Sequence, residues 1–381
     1  MLFSNVIGQD FIKSHLTQSA DKGRIPHAQL FVGKAGSGIL PMAIAYAQYI
    51  ICGNSNSENY GDNQSCNLKF DQLGHPDLHF AYPVAKVTDS QKKPVSAHFA
   101  TEWRSFVVEN PYGTLFDWHK HIGIEKKQSN ISVHEAADIN KALALKSYEG
   151  GYKVMIIWMA EKMNRDASNK LLKLIEEPPN KTVFLLLAEN DDLIIDTIKS
   201  RCQVLSFPRL STGQIATALS QKLNCSEAEA LKIAHQSEGD YNKAQHLLQS
   251  DNDELLFEEW FVTWVRSAFM AKKKKESILE LLQWSETIAK TGRETQKNFL
   301  QYSVQFFRQA MLQNYAISEL VFMEPQTGFD LKKFAPFING NNISSIISEL
   351  ETAQYHIERN GNAKIILSDL SIKLTRLMHR K

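Results

Sequence analysis

The sequence predicts an α/β domain, built on a parallel sheet with helices on both faces and followed by helices only. Three observations carry this prediction. Val154 to Trp158 (VMIIW) and Val183 to Ala188 (VFLLLA) are short runs unbroken in apolarity, as strands covered on both faces must be. Between them Ala167, Leu171, Leu172, Leu174 and Ile175 recur at helical spacing until Glu176-Glu177-Pro178-Pro179, where proline cannot continue the helix. That sequence of elements is a βαβ unit. Beyond Ser200-Arg201-Cys202, on a polar turn, and one more strand ending near Phe207, the remaining periodicity is helical throughout.

Length and composition set the bounds. With 381 residues, 43% of them apolar, the chain can bury two or three cores. Its beginning, MLFSNVIGQDF, lacks a basic lead and a long apolar run, and no stretch reaches the ~18 apolar residues of a membrane span. The expectation is therefore a cytoplasmic protein with no membrane partner. Cys52, Cys66, Cys202 and Cys225 are irregularly spaced and do not read as a disulfide framework, which predicts reduced thiols. Forty-three basic against 42 acidic residues give no global attraction to nucleic acid, so any such contact must be local.

Taken in order, Phe11, Ile12, Leu16 and Ala20 line one face of a first helix, which Gly23 ends in a left-handed conformation. A short buried strand, Leu30-Phe31-Val32, runs into Gly33-Lys34-Ala35-Gly36-Ser37-Gly38-Ile39-Leu40 and then the helical run MAIAYAQYII. This is the frame of a phosphate loop, G-x-x-x-x-G-K-S/T. There the glycines let backbone N–H groups cradle phosphates, the lysine neutralises their charge and the hydroxyl holds magnesium. Gly33, Gly36 and Gly38 are present, but Ile39 replaces the lysine and Leu40 the hydroxyl, while Lys34 lies at the wrong end of the loop. A glycine-rich turn that binds no cofactor is the expectation.

Residues 54 to 65 (NSNSENYGDNQS) read as a polar surface loop. From about 81 to 151 the chain is longer than a connection needs and carries Trp103, Phe106, Tyr112, Phe116 and Trp118, rings expected to pack on the sheet. Their interleaving with Lys126-Lys127 leaves nucleic-acid stacking as the lesser alternative. Asn130-Ile131-Ser132-Val133 opens a helix through about Lys146, and Gly150-Gly151 turns into the central strand. After Phe207 come three short helices: one opened by Ser211-Thr212, one by the capping box at Ser226 and Glu229, and one preceded by Gly239-Asp240. From Asp253 onward long apolar stripes, among them Trp260, Trp264, Leu281, Phe299 and Phe306, predict a helical bundle. Lys272 to Lys275 reads as a solvated helix end.

The wording NRDASNKLLKLIEEPPNKTVFLLLAEN, closing with IKSRCQVLSF, resembles the second nucleotide-binding motif and arginine-finger region of bacterial clamp-loader subunits, a branch of the AAA+ ATPases. The resemblance extends from Val6 to about Leu248. It implies a division into an AAA+ domain at 1–207 with an elaboration at about 81–151, a helical lid at 208–250 and a C-terminal collar at 251–381. In active relatives the strand after Gly151 ends in an Asp-Glu pair for magnesium and water. Here Trp158 and Met159 stand in those places, and Glu161 is expected to be solvated or ion-paired. Asn242 stands where the lid of such relatives presents an arginine to the nucleotide. A four-cysteine zinc module of the family is reduced to Cys52 and Cys66, with His75 near, and no metal is expected.

What the resemblance implies for function is a non-catalytic, stator-like clamp-loader subunit without cis catalytic residues. Arg201, flanked by Ser200 and Cys202, would serve a neighbouring ATPase in trans. The implied partners are the gamma or tau ATPase subunits and the delta subunit, with the sliding clamp and primed DNA reached through the complex. Two alternatives stand beside it: an active AAA+ clamp-loader ATPase of the gamma or tau type, and a nucleic-acid-binding repair module.

Overall fold

A computed structural model describes residues 1–379 except 54–63, 87–92, 126, 149, 224–225, 250–251, 318–320, 322 and 324. The polar loop expected at 54–65, Cys225 and Lys126 lie wholly or mostly outside the described residues. The chain divides into two compact units. One comprises residues 1–124 and 128–245, the other 125–127 and 246–381.

The first unit is built on five parallel strands: β1 (Ala28–Gly33), β2 (Leu78–Ala81), β3 (Lys153–Trp158), β4 (Thr182–Ala188) and β5 (Gln203–Phe207). Their order is β2-β3-β4-β1-β5. Both apolar runs that predicted strands are therefore central, β3 and β4 pairing with Ile156 opposite Leu185, and every residue of both is buried. Alternate side chains point to opposite faces. Val154, Ile156, Trp158, Val183, Leu185 and Leu187 enter one core with the helix Ile39–Cys52. Met155, Ile157, Phe184 and Leu186 enter another with the helices Val133–Ala144 and Arg165–Glu176. Helices thus cover both faces, as expected. β2, only four residues long, is an edge strand that the sequence reading did not anticipate.

Most local signals act where the sequence places them, although Phe11, read with Ile12 and Leu16 on one face of the first helix, is exposed while those two are buried. Gly23 follows the first helix at φ +65°. Asn164 accepts a hydrogen bond from the Ala167 amide (2.8 Å) at the start of Arg165–Glu176, whose end meets Pro178 and Pro179. The aromatic elaboration packs on the sheet. Trp103 stacks on Tyr82 at 4.0 Å and meets Trp158 at 5.1 Å, Trp118 stands edge-on to Trp103, and Trp118 Nε1 donates to the Pro83 carbonyl at 2.9 Å.

The regular elements described in the second unit are all helices, from Asn252–Met270 to Ala363–Leu377. Its core is dense in rings: Trp264 stacks on Trp284 at 5.0 Å and Phe261 lies 4.1 Å from Phe306. Trp264 Nε1 donates to Ser371 Oγ (2.9 Å), so its one polar atom is satisfied as burial demands. Lys272 to Lys275 are exposed at the end of Asn252–Met270. No helix among the described residues is long and apolar enough to cross a membrane.

One buried carboxyl supplies a test of the fold. Glu135, on Val133–Ala144, is 4% exposed and accepts the Ser96 amide at 2.6 Å. Burial pushes its carboxyl up from 4.5 to about 7, against the opposing pull of the Ser96 hydrogen bonds. The folded state therefore holds this proton more tightly than the unfolded state. Its stabilising contribution is complete below about pH 4.5 and lost as pH rises through about 7. In denaturant unfolding, Glu135→Gln should gain on the wild type by up to about 3 kcal/mol between those limits. Parallel stability curves for the two chains would exclude a buried, titrating Glu135.

Candidate functional site

The turn from β1 into the helix Ile39–Cys52 carries the three glycines Gly33, Gly36 and Gly38. Gly36 and Gly38 adopt φ +69° and +91°, and Gly38 caps the helix. At these positions a side chain would be strained, which accounts for glycine there. Ile39 and Leu40, in the places of the lysine and the hydroxyl, are 8% and 3% exposed and belong to the hydrophobic core. Lys34 turns away and donates to the Glu189 carbonyl at 3.4 Å.

The space in front of the loop is lined by the chain's own side chains. A Cβ built on Gly36 would collide with the Asp240 carboxylate, and one on Gly38 would come within 3.2 Å of the Tyr112 ring. Tyr112 accepts the Ile7 amide on its hydroxyl at 2.8 Å and meets Tyr241 edge-on at 4.8 Å. Asp240 accepts the Lys243 amide at 3.0 Å, and burial raises its carboxyl pKa. Asn242, 4% exposed, donates to Asp117 and accepts from Asn110, both at 2.9 Å. Asp117 also caps its own helix by accepting the Thr114 amide at 2.7 Å. Asn110, Tyr112 and Asp117 all come from the elaboration, so that segment reaches the glycine turn as well as the sheet. Sequence reading gave no signal for Asp240, and it treated Tyr112 only as a packing ring.

At the end of β3, Trp158 is buried and Met159 takes a left-handed φ of +54°. Glu161 is neither solvated nor ion-paired, which corrects the expectation. It is half-buried, and its Oε1 accepts the Glu189 amide at 3.0 Å, tying the ends of β3 and β4 together. Burial raises its carboxyl pKa. The expectation failed because the sequence does not show that the end of β4 lies beside it.

Arg201 stands on the turn after the short helix Asp196–Lys199. Its Nε and Nη2 both face Glu176 Oε1, and its Nη1 donates to the Thr197 carbonyl (2.8 Å) and to Ser200 Oγ (3.3 Å). Within the chain its partner is thus the last residue of Arg165–Glu176. The sequence marked that residue only as part of a helix stop. Ser200 ends the short helix, its amide donating to the Asp196 carbonyl at 2.9 Å. Cys202 is half-buried, and burial pushes its thiol up to about 11, which disfavours the thiolate.

The expectation of reduced thiols is overturned at one pair. Cys52 and Cys66 form a disulfide, with Cα atoms 5.6 Å apart. Cys52 is the last residue of Ile39–Cys52 and Cys66 lies in the next helix, Gln64–Asp71. The spacing of fourteen does not reveal that these helices pack side by side. Near them, His75 Nδ1 accepts the Asp77 amide at 3.1 Å. Among the described residues no three His, Cys, Asp or Glu side chains are grouped to hold a metal ion.

The chain also matches known proteins in sequence. A family model described as DNA polymerase III, delta subunit, matches residues 8–211. The chain is similar to DNA polymerase III subunit delta' of Bacillus subtilis, at 27% identity over 63% of this chain and 58% of that protein. It is also similar to the delta' subunit of Pseudomonas aeruginosa, at 34% over 57% of this chain and 53% of that one. It thus spans somewhat more than half the length of these curated relatives. A gamma subunit-related protein of Thermotoga maritima superposes over 96% of this chain and 99% of its own, at 13% identity and a TM-score of 0.42, too loosely to support a conclusion. The family match covers more than half of the 381 residues, and the chain belongs to the DNA polymerase III delta-subunit family.

Proposed function

We propose that this chain is a non-catalytic, stator-like subunit of a DNA polymerase III clamp loader, of the delta-prime type, which supplies Arg201 in trans to a neighbouring ATPase subunit. It would assemble with gamma or tau subunits and a delta subunit, and act through them on the sliding clamp and primed DNA. We likewise assign residues 1–207, 208–250 and 251–381 to a nucleotide-binding-like domain, a lid and a collar. The observation that carries the non-catalytic reading is the glycine turn. The residues needed to bind phosphate and magnesium are replaced by core side chains, and Asp240 presents a carboxylate where a phosphate would approach. Like charges at that distance disfavour nucleotide, and displacing the carboxylate would break the hydrogen bond it accepts from the Lys243 amide.

The same reading explains why a charged planar group stands at Arg201. A guanidinium presents donors in a fork that matches phosphate oxygens and stabilises charge on a transferring phosphoryl group. Family membership and the sequence Ser200-Arg201-Cys202 on an accessible turn support the assignment. An active ATPase in this chain is disfavoured by Ile39, Leu40, Trp158 and Met159.

Two measurements follow. Titration calorimetry of the purified chain with magnesium-ATP should show no micromolar binding, and Ile39→Lys alone should not create it, since Asp240 and Tyr112 remain in front of the loop. Tight, magnesium-dependent binding by the wild type would reject the non-catalytic reading. In a complex reconstituted with the ATPase partner, Arg201→Ala should lower DNA- and clamp-stimulated turnover several-fold at matched assembly. A finger in trans contributes roughly 10³ to 10⁵ at the site it serves, and only the site facing this chain would lose it. Arg201→Lys should not restore the rate. Equal turnover with wild-type and Arg201→Ala chains would leave Arg201 a structural residue.

A further inference from the structure

We propose that Glu176 is a latch on Arg201: it holds the guanidinium within the free chain and yields it to the triphosphate of a neighbouring chain's nucleotide on assembly. This rests on the reading of Arg201 as a residue that acts in trans. The geometry motivates it directly. A guanidinium has five N–H donors on three nitrogens, and here all three nitrogens are engaged internally. The Nε and Nη2 edge, which forms a two-pronged fork for an oxyanion, is turned onto one carboxylate oxygen of Glu176. Presenting that edge to a phosphate requires exchange of one anion for another.

The rest of the site suits such an exchange. Nη1 is held separately, by the Thr197 carbonyl and Ser200 Oγ, so the side chain keeps an anchor when the other edge changes partner. The pair is also accessible, with side-chain exposures of 35% for Arg201 and 42% for Glu176. An exposed ion pair is weak and a polyphosphate carries several charges, so the incoming anion displaces the carboxylate rather than being excluded by it. Glu176 is the last residue of a twelve-residue helix, where the helix dipole is negative. Removing Arg201 from it leaves a carboxylate in an unfavourable field, which gives the latch a restoring force when the nucleotide leaves. Glu176 is thus a positioning residue, acting through Arg201 and touching no reacting atom.

The test is the ATP dependence of clamp- and DNA-stimulated turnover by the complex reconstituted with its ATPase partner. The chains compared are wild type, Glu176→Gln, Glu176→Ala, Arg201→Ala and the double variant Arg201→Ala/Glu176→Gln. Releasing the latch should lower the ATP concentration for half-maximal turnover by about two- to five-fold, the range that an exposed ion pair commands. The Glu176→Gln effect should vanish once Arg201 is absent. A purely structural pair would shift the thermal midpoint of the isolated chain and leave the ATP dependence unchanged. If Arg201→Ala slows turnover while both Glu176 variants match the wild type, the latch is wrong and the trans role of Arg201 survives. Slowing by the Glu176 variants would make Glu176 a splint that aims Arg201, and this too overturns the latch. A gain that persists in the double variant would place the action of Glu176 elsewhere. Wild-type behaviour of Arg201→Ala would remove the trans role and the latch together.

Discussion

Much of the first unit depends on one helix having almost no solvent-facing side. Thirteen of the fourteen residues of Ile39–Cys52 are buried, including its first two, Ile39 and Leu40. A helix apolar on all sides belongs in a core, and this one lies over the central strands. Burying an ammonium at its start without an anion would cost several kcal/mol. Isoleucine and leucine there instead extend the apolar surface. Ile39 and Leu40, at the start of the helix after the glycine turn, are therefore residues that stabilise the sheet's cover.

A second consequence concerns how the sheet is joined to the helices that follow it. In a nucleotide-dependent protein a ligand between a phosphate loop and a helical lid can couple the two. Here the chain supplies that coupling itself. Asp240 and Tyr241, at the start of Tyr241–Gln249, sit at Gly36, with the Tyr241 amide 3.4 Å from the Gly36 carbonyl. Asn242 is held between Asn110 and Asp117. Gln9 spans the Ser37 and Pro208 carbonyls at 3.0 and 2.8 Å. Each contact joins segments far apart in sequence, and none needs a ligand. The elaboration at 81–151 is thereby more than a cover for the sheet edge, because it contributes three side chains to this internal bridge.

What the sequence made legible follows from the range over which each signal acts. β3, β4 and the intervening helix were readable because apolar runs, helical spacing and a proline pair are local. The glycine turn was readable for the same reason, and the absent lysine and hydroxyl could be seen by position alone. The Cys52–Cys66 bond, the Glu161 contact with Glu189 and the placement of Asp240 at Gly36 depend on which segments become neighbours. No spacing encodes that. β2 was missed for a different reason: at four residues, LHFA is too short to show a period.

The partner of Arg201 illustrates how a local signal can conceal a tertiary one. Glu176-Glu177 before two prolines reads as a helix stop, and that reading is sound. Yet a carboxylate on the last helical residue opposes the helix dipole, at a cost of typically 0.3–1 kcal/mol where exposed. The cost calls for a compensating cation, and Arg201 provides it from twenty-five residues away. The compensation works in both directions, since the carboxylate also fixes the Nε and Nη2 edge of a long side chain. A pair of this kind is stable enough to set the resting geometry and weak enough to be exchanged, because both partners remain in contact with water.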